Sequence, residues 1–166
     1  TGNPKGVVYS HRSNILTSMS VLTPDMLNIA SRDVVLPVVP LFHANSWSLA
    51  FSAPMMGAKL VMPGAKMDGA SIYELLETEK VTFSAAVPTV WLMLLQHLQK
   101  DNGKLSTLKR VTIGGSACPR AVTEAFEKNY GVTVDHAWGM TEMSPLGSVC
   151  SIKAAVADVS GDKLYD

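Results

Sequence analysis

Short apolar runs alternate with longer amphipathic stretches along the chain, and this alternation limits the possible folds more than any other feature. β-rich runs lie at 33–39, 58–62, 81–86, 108–113 and 132–137, with helical spacing in the intervals. Such an order favours an α/β fold, a mostly parallel sheet with helices on both faces. After Asp33 the first of these runs is continuously apolar, as expected of a strand buried on both sides. Pro37 within it points to an edge or a bulge. Val7-Val8-Tyr9 reads as the end of an earlier strand. Ser10 can cap a helix carrying Ile15, Leu16, Met19 and Leu22, which Pro24 closes. Further helices are expected at 45–56, stopped by Gly57, and at 71–80, with Ile72, Leu75 and Leu76 on one face. Two more are expected at 89–99, just after Pro88, and beyond Gly114-Gly115-Ser116, where Pro119 takes the first helical position. In that last helix Val122, Ala125 and Phe126 form the buried stripe. The run 132–137 is the final clear strand, and 151–166 is small and polar with little pattern.

At 166 residues the chain suits one domain, or part of a larger one. Basic and acidic residues balance at 14 each, so no overall field draws it to nucleic acid or to an anionic membrane. Polar or breaker residues interrupt every apolar stretch short of the ~18 residues of a membrane span. Cys118 and Cys150 have neither metal-ligand spacing nor a disulfide framework, which fits a reducing, cytoplasmic setting.

Parallel sheets bind ligands outside the carboxyl ends of their strands. Three unusual segments fall at such positions: Pro40-Leu41-Phe42-His43-Ala44-Asn45-Ser46-Trp47, Gly114-Gly115-Ser116-Ala117, and Trp138-Gly139-Met140-Thr141-Glu142. The first places His, Asn and Trp after a buried strand, although a lone His among apolar neighbours is more often structural. The second removes side-chain bulk, which suits a ring or a chain lying on the backbone and equally suits a tight strand-to-helix turn. In the third, Trp138 offers a flat face to a planar ring, and stacking of this kind is worth roughly 1–3 kcal/mol. Thr141 adds a hydroxyl, and Glu142 a hard oxygen ligand suited to Mg²⁺. A tryptophan closing the core beside a solvated glutamate explains the same residues. The chain also opens on Thr1-Gly2-Asn3-Pro4-Lys5-Gly6, where glycines allow close approach and Lys5 brings a cation, a combination suited to polyphosphate. It is not a Walker loop, because Gly-x4-Gly-Lys-Ser/Thr is absent, and a plain surface turn reads the same way.

Taken in order, Thr-Gly-x-Pro-Lys-Gly-Val, Pro-Leu-Phe-His, Gly-Gly-Ser-Ala-x-Pro and Gly-Met-Thr-Glu resemble the motif series of the adenylate-forming superfamily, the acyl-CoA synthetases and their relatives. The resemblance covers residues 1–149. It implies a fragment of the large N-terminal adenylation (AMP-binding) domain, spanning 1–166, with the C-terminal lid domain and the ribose-binding acid lying elsewhere. It implies ATP, Mg²⁺ and coenzyme A, a carboxylic acid as substrate, and, by family analogy, a homodimer. The acid attacks the α-phosphorus of ATP, pyrophosphate leaves, and a thiol takes the acyl group from the adenylate. By the same resemblance Thr1, Gly2 and Lys5 cradle the β- and γ-phosphates. Trp138 stands where the family more often has Tyr, against adenine. His136, Ala137, Trp138, Gly139, Met140 and Thr141 line the nucleotide, with Thr141 near phosphate and Glu142 on Mg²⁺. Gly115 and Ser116 border adenine and the acyl group, and His43, Ala44 and Trp47 complete the binding set.

Amino-acid-activating members carry an Asp close after the Phe of the Phe-His segment, and 42–46 here holds no acid. A buried ammonium would lack a partner there, so a plain carboxylic acid is expected. The Phe-His-x-Asn-x-Trp pattern resembles fatty acyl-CoA synthetases, with Trp47 as an acyl gate. Some relatives sharing Trp-Gly-Met-Thr-Glu-Met-Ser-Pro activate methylthiopropionate instead. A non-catalytic nucleotide- or acyl-binding relative and a luciferase-like oxygenase are the competing readings. Retention of both Lys5 and Glu142 argues against the first.

Overall fold

The computed structural model describes residues 2–3, 5–159, 163 and 165. Its centre is a six-stranded sheet in the order β2-β1-β3-β4-β5-β6. The strands are β1 (Val34–Pro37), β2 (Lys59–Leu60), β3 (Phe83–Ala86), β4 (Arg110–Ile113), β5 (Thr133–Gly139) and β6 (Leu146–Val149). The first five are mutually parallel, and β6 returns antiparallel along β5. Helices cover both faces, as the strand-helix alternation predicts.

Alternate strand residues divide between two cores, as the pleat requires. Leu36, Val111 and Ile113 pack with Ile72 and Leu76 of α4 (Gly69–Thr78), Trp91, Leu94 and Leu98 of α5 (Pro88–Asp101), and Val122 of α6 (Arg120–Glu124). Phe126, on the π-helical turn Ala125–Asn129 that prolongs α6, meets Trp91 edge-on with ring centroids 5.6 Å apart. The indole N–H of Trp91 donates to the Ala86 carbonyl at 3.2 Å, so this buried aromatic leaves no polar atom unpaired. On the other face Val35, Phe83 and Ala85 pack with Val21, Leu27, Ile29, Leu49 and Ala53. Buried Ser84 on β3 donates to the Leu36 carbonyl at 2.7 Å and pins β3 to β1.

Local signals explain most boundaries. The Ser10 side chain accepts from the Ser13 N–H and starts α1 (His11–Ser20), as expected. Asp68 does the same for α4, which therefore begins two residues before the predicted start. Pro88 stands at the first turn of α5.

Four expectations need correction, and one apolar stripe faces outward. Residues 7–9 are not in a strand but in an irregular segment leading to Ser10. Ile15, Leu16 and Met19 are 51–55% exposed, because α1 buries Ser18 and turns its apolar stripe outward. Pro37 is not on an edge strand, although the N–H groups of Val38 and Val39 just after it both donate to the Ala85 carbonyl, as at a bulge. It ends an interior strand, pairing with Ala85, beyond the last residue that the short β2 reaches. Pro119 caps α6 from outside instead of opening it. The span 45–56 is also not one helix, because α3 (Leu49–Met55) is preceded by α2 (Ala44–Trp47), a turn of opposite hand.

Candidate active site

The carboxyl ends of β1, β3, β4 and β5 open on a cavity of about 450 Å³. It brings together His43, Ala44 and Trp47 after β1, Gly115 after β4, and Ala137, Trp138, Gly139, Met140 and Thr141 along and beyond β5. Three segments far apart in sequence thus meet where a parallel sheet binds its ligands. No Asp, Glu, Lys or Arg lines the cavity among the described residues.

Each segment reaches its place for a local reason. After β4 the chain must turn into α6. Gly115 takes φ +81°, and a Cβ on Gly114 would sit 2.8 Å from the Ala137 carbonyl oxygen and 3.2 Å from the Trp47 ring. The indole of Trp47 therefore lies directly on this glycine pair. Trp138 is 59% exposed. Its ring is backed by Gly147 of β6, where a Cβ would fall 2.8 Å from the indole. That support leaves a flat aromatic surface at the cavity. His43 is exposed, with its ring 4.7 Å from that of Phe42.

The segment bearing Trp47 is unusual. Ala44, Asn45, Ser46, Trp47 and Ser48 all have positive φ, between 44° and 68°. The left-handed region costs about 1–2 kcal/mol for each residue that is neither Gly nor Asn, and such backbone persists only where its surroundings over-determine it. Here Trp47 N–H donates to the His43 carbonyl at 3.3 Å and Ser48 N–H to the Ala44 carbonyl at 3.2 Å. Buried Ser46 bonds through its hydroxyl to the Val39 carbonyl.

The remaining candidates lie outside this lining. Glu142 is exposed on the 3-10 turn Thr141–Met143. The Tyr9 hydroxyl donates to the Thr141 carbonyl, which ties the segment bearing Lys5 to that turn. Partial burial, then the charge of Glu142, push the Tyr9 phenol above its ordinary range. Gly2 and Lys5 are exposed, and Thr1 lies outside the described residues. His136 lines a second cavity of about 520 Å³ with Arg110, Cys118 and Asp135, and its Nε2 is 3.5 Å from the carbonyl of Ser116.

Val87, Pro145 and Leu146 also line the main cavity and were not singled out from the sequence. Val87 could have been found, since it directly follows β3. Pro145 and Leu146 carry no strand signal of their own, and β6 forms because β5 offers it an edge.

The profile of the AMP-binding enzyme family matches residues 1–163. The chain belongs to this family. It is 50% identical over 163 residues to the medium-chain-fatty-acid–CoA ligase of Ectopseudomonas oleovorans, a match covering 98% of this chain and 30% of that protein. It is 47% identical over 148 residues to the 3-methylmercaptopropionyl-CoA ligase of Ruegeria lacuscaerulensis, covering 89% of this chain and 28% of the relative. The crystal structure of a long-chain-fatty-acid–CoA ligase from Archaeoglobus fulgidus superposes with a TM-score of 0.78 at 25% identity, covering 90% of this chain and 31% of that one. The chain thus spans about 30% of the relatives it matches.

Proposed function

We propose that this chain is the central part of an acyl-CoA synthetase. The whole enzyme activates a carboxylic acid without an amino group, a medium- or long-chain fatty acid, to the acyl-adenylate and then passes the acyl group to coenzyme A. The observation that carries this reading is the main cavity. It is lined by Trp47, Trp138 and mostly apolar or small residues, with His43 and Thr141, and holds no Asp, Glu, Lys or Arg among the described residues. A purine ring can stack on Trp138, and an aliphatic chain suits the apolar remainder. An α-ammonium group would find no counter-ion in this lining. The medium-chain and 3-methylmercaptopropionyl relatives both act on acids lacking an amino group, which supports the same substrate class.

In this reading a carboxylate oxygen bonds to the α-phosphorus as the bond to pyrophosphate breaks. The thiol sulfur of coenzyme A then bonds to the acyl carbon and AMP departs. Catalysis here is positioning and charge stabilisation. Gly2 and Lys5 hold the outer phosphates together with Thr1, and Thr141 lies near phosphate. Glu142 fits a Mg²⁺ site, because a single exposed carboxylate suits an ion that takes its other ligands from phosphate and water. The ion's contribution is to offset phosphate charge. Gly115, Ser116 and Trp47 border the acyl group.

ATP–pyrophosphate exchange by the full-length protein, across acids from 3-methylmercaptopropionate to long chains and a set of amino acids, tests this reading. Exchange with fatty acids and none with amino acids is the expected result. Exchange with the sulfur-containing short acid alone reassigns the substrate. A folded protein that binds ATP yet shows no exchange with any acid is a non-catalytic relative.

A further inference from the structure

Trp47 rests on Gly114 and Gly115 because the turn beneath it is left-handed. A right-handed turn over the same residues would present its side chains in the opposite rotational sense and carry the indole off the two glycines. Of the five residues with positive φ, Asn45 is the one whose side chain tolerates that region well. Something must hold the rest.

Ser46 occupies the centre of the turn, at φ 53° and ψ 47°, and is 1% exposed. Its hydroxyl donates to the carbonyl of Val39. Val39 is itself anchored, its N–H donating to the Ala85 carbonyl of β3 at 3.2 Å. The bond therefore fixes the turn to the rigid sheet. On the other side Ser52 of α3 donates to the Ser48 carbonyl at 3.1 Å, so the turn is held at its centre and at its far end.

We propose that Ser46 is a positioning residue for substrate selection: its bond to Val39 keeps the turn left-handed, keeps Trp47 across Gly114 and Gly115, and so limits the acyl chain that the site accepts. This rests on the reading of the main cavity as an acyl site. Ser46 does not touch the substrate and acts through Trp47.

The test uses Ser46→Ala, Ser46→Gly and Trp47→Ala in the full-length protein, with kcat/KM measured over acids of increasing length and the KM for ATP as control. Ser46→Ala is expected to shift the long-to-medium preference by about three- to ten-fold, the scale of one ordinary hydrogen bond. The shift should run in the same direction as that of Trp47→Ala, with the KM for ATP unchanged. Ser46→Gly lacks the hydroxyl but adopts positive φ without strain, so it should recover at least half of that shift. A wild-type profile in Ser46→Ala beside a shifted Trp47→Ala overturns the role of Ser46 alone, even if thermal stability falls. Failure of Ser46→Gly to recover any of the shift overturns it as well. A wild-type profile in Trp47→Ala removes the gate and this proposal with it, and absence of turnover with every acid removes the functional reading beneath both.

Discussion

Single side chains set the electrostatics around the sheet. Asp135 stands opposite Thr112 on the neighbouring strand and lines the second cavity. Burial, with a smaller contribution from Glu127, raises its carboxyl to about 6 against the opposing pull of Arg110. A carboxylic acid whose folded pKa exceeds its unfolded value favours folding below the unfolded value, and loses that advantage as pH rises through the folded one. Asp135→Asn is therefore expected to stabilise the full-length protein at pH 7.5 by about 1–2 kcal/mol, after allowance for partial solvent screening. The gain should shrink toward pH 4, where the folded state holds the acid protonated and the unfolded state is roughly half protonated, and vanish below that. Denaturant midpoints at the two pH values check this, and an equal gain at both would contradict it. Asp33 shows the opposite balance. Burial would raise it, but bonds from the Ala30 N–H, the Thr82 hydroxyl and Arg110 outweigh burial and hold it below the usual carboxylate range.

Among the elements, the irregular segment before α1 and the turn after β5 are joined by one side chain. Tyr9 reaches across 132 residues of sequence to the Thr141 carbonyl. In the proposed reading this places Lys5 and Glu142 at the two ends of one linkage around the phosphates. Tyr9→Phe keeps the ring and loses that bond. It is expected to raise the KM for ATP by about three- to ten-fold, the value of one hydrogen bond, with little effect on the KM for the acid. Steady-state kinetics at saturating acid measure this, and an unchanged KM for ATP would show that the bond is structural only.

For the whole molecule, the main cavity is lined by one sheet and the segments that follow its strands, while α1 and α3 leave Ile15, Leu16, Met19, Phe51 and Met55 between 42 and 55% exposed. The relatives are more than three times as long as the match. The 166-residue chain expressed alone is therefore expected to form no acyl-CoA from any acid that the full-length protein activates. A thiol-consumption assay comparing the two decides it, and robust product from the short chain would show that this sheet holds the complete catalytic apparatus. No helix among the described residues is long and apolar enough to cross a membrane.

Period and punctuation in the sequence determined the parallel order of elements, the helix starts at Ser10 and Pro88, and the meeting of three motifs at strand ends. Each of these follows from local physics: apolar spacing selects the element, Ser10 and Pro88 mark helix starts, and parallel strands must leave their carboxyl ends on one side. The tertiary structure decided what depends on partners. The stripe of Ile15, Leu16 and Met19 faces outward because α1 buries Ser18 instead, which spacing alone does not reveal. β6 exists because the edge of β5 needs a hydrogen-bonding neighbour, and Leu146–Val149 supplies it without a strong strand sequence. The left-handed turn at 44–48 runs against local propensity at nearly every residue. It stands because Ser46 is tied to Val39 and Trp47 is seated on Gly114 and Gly115, contacts that exist only once the sheet has formed.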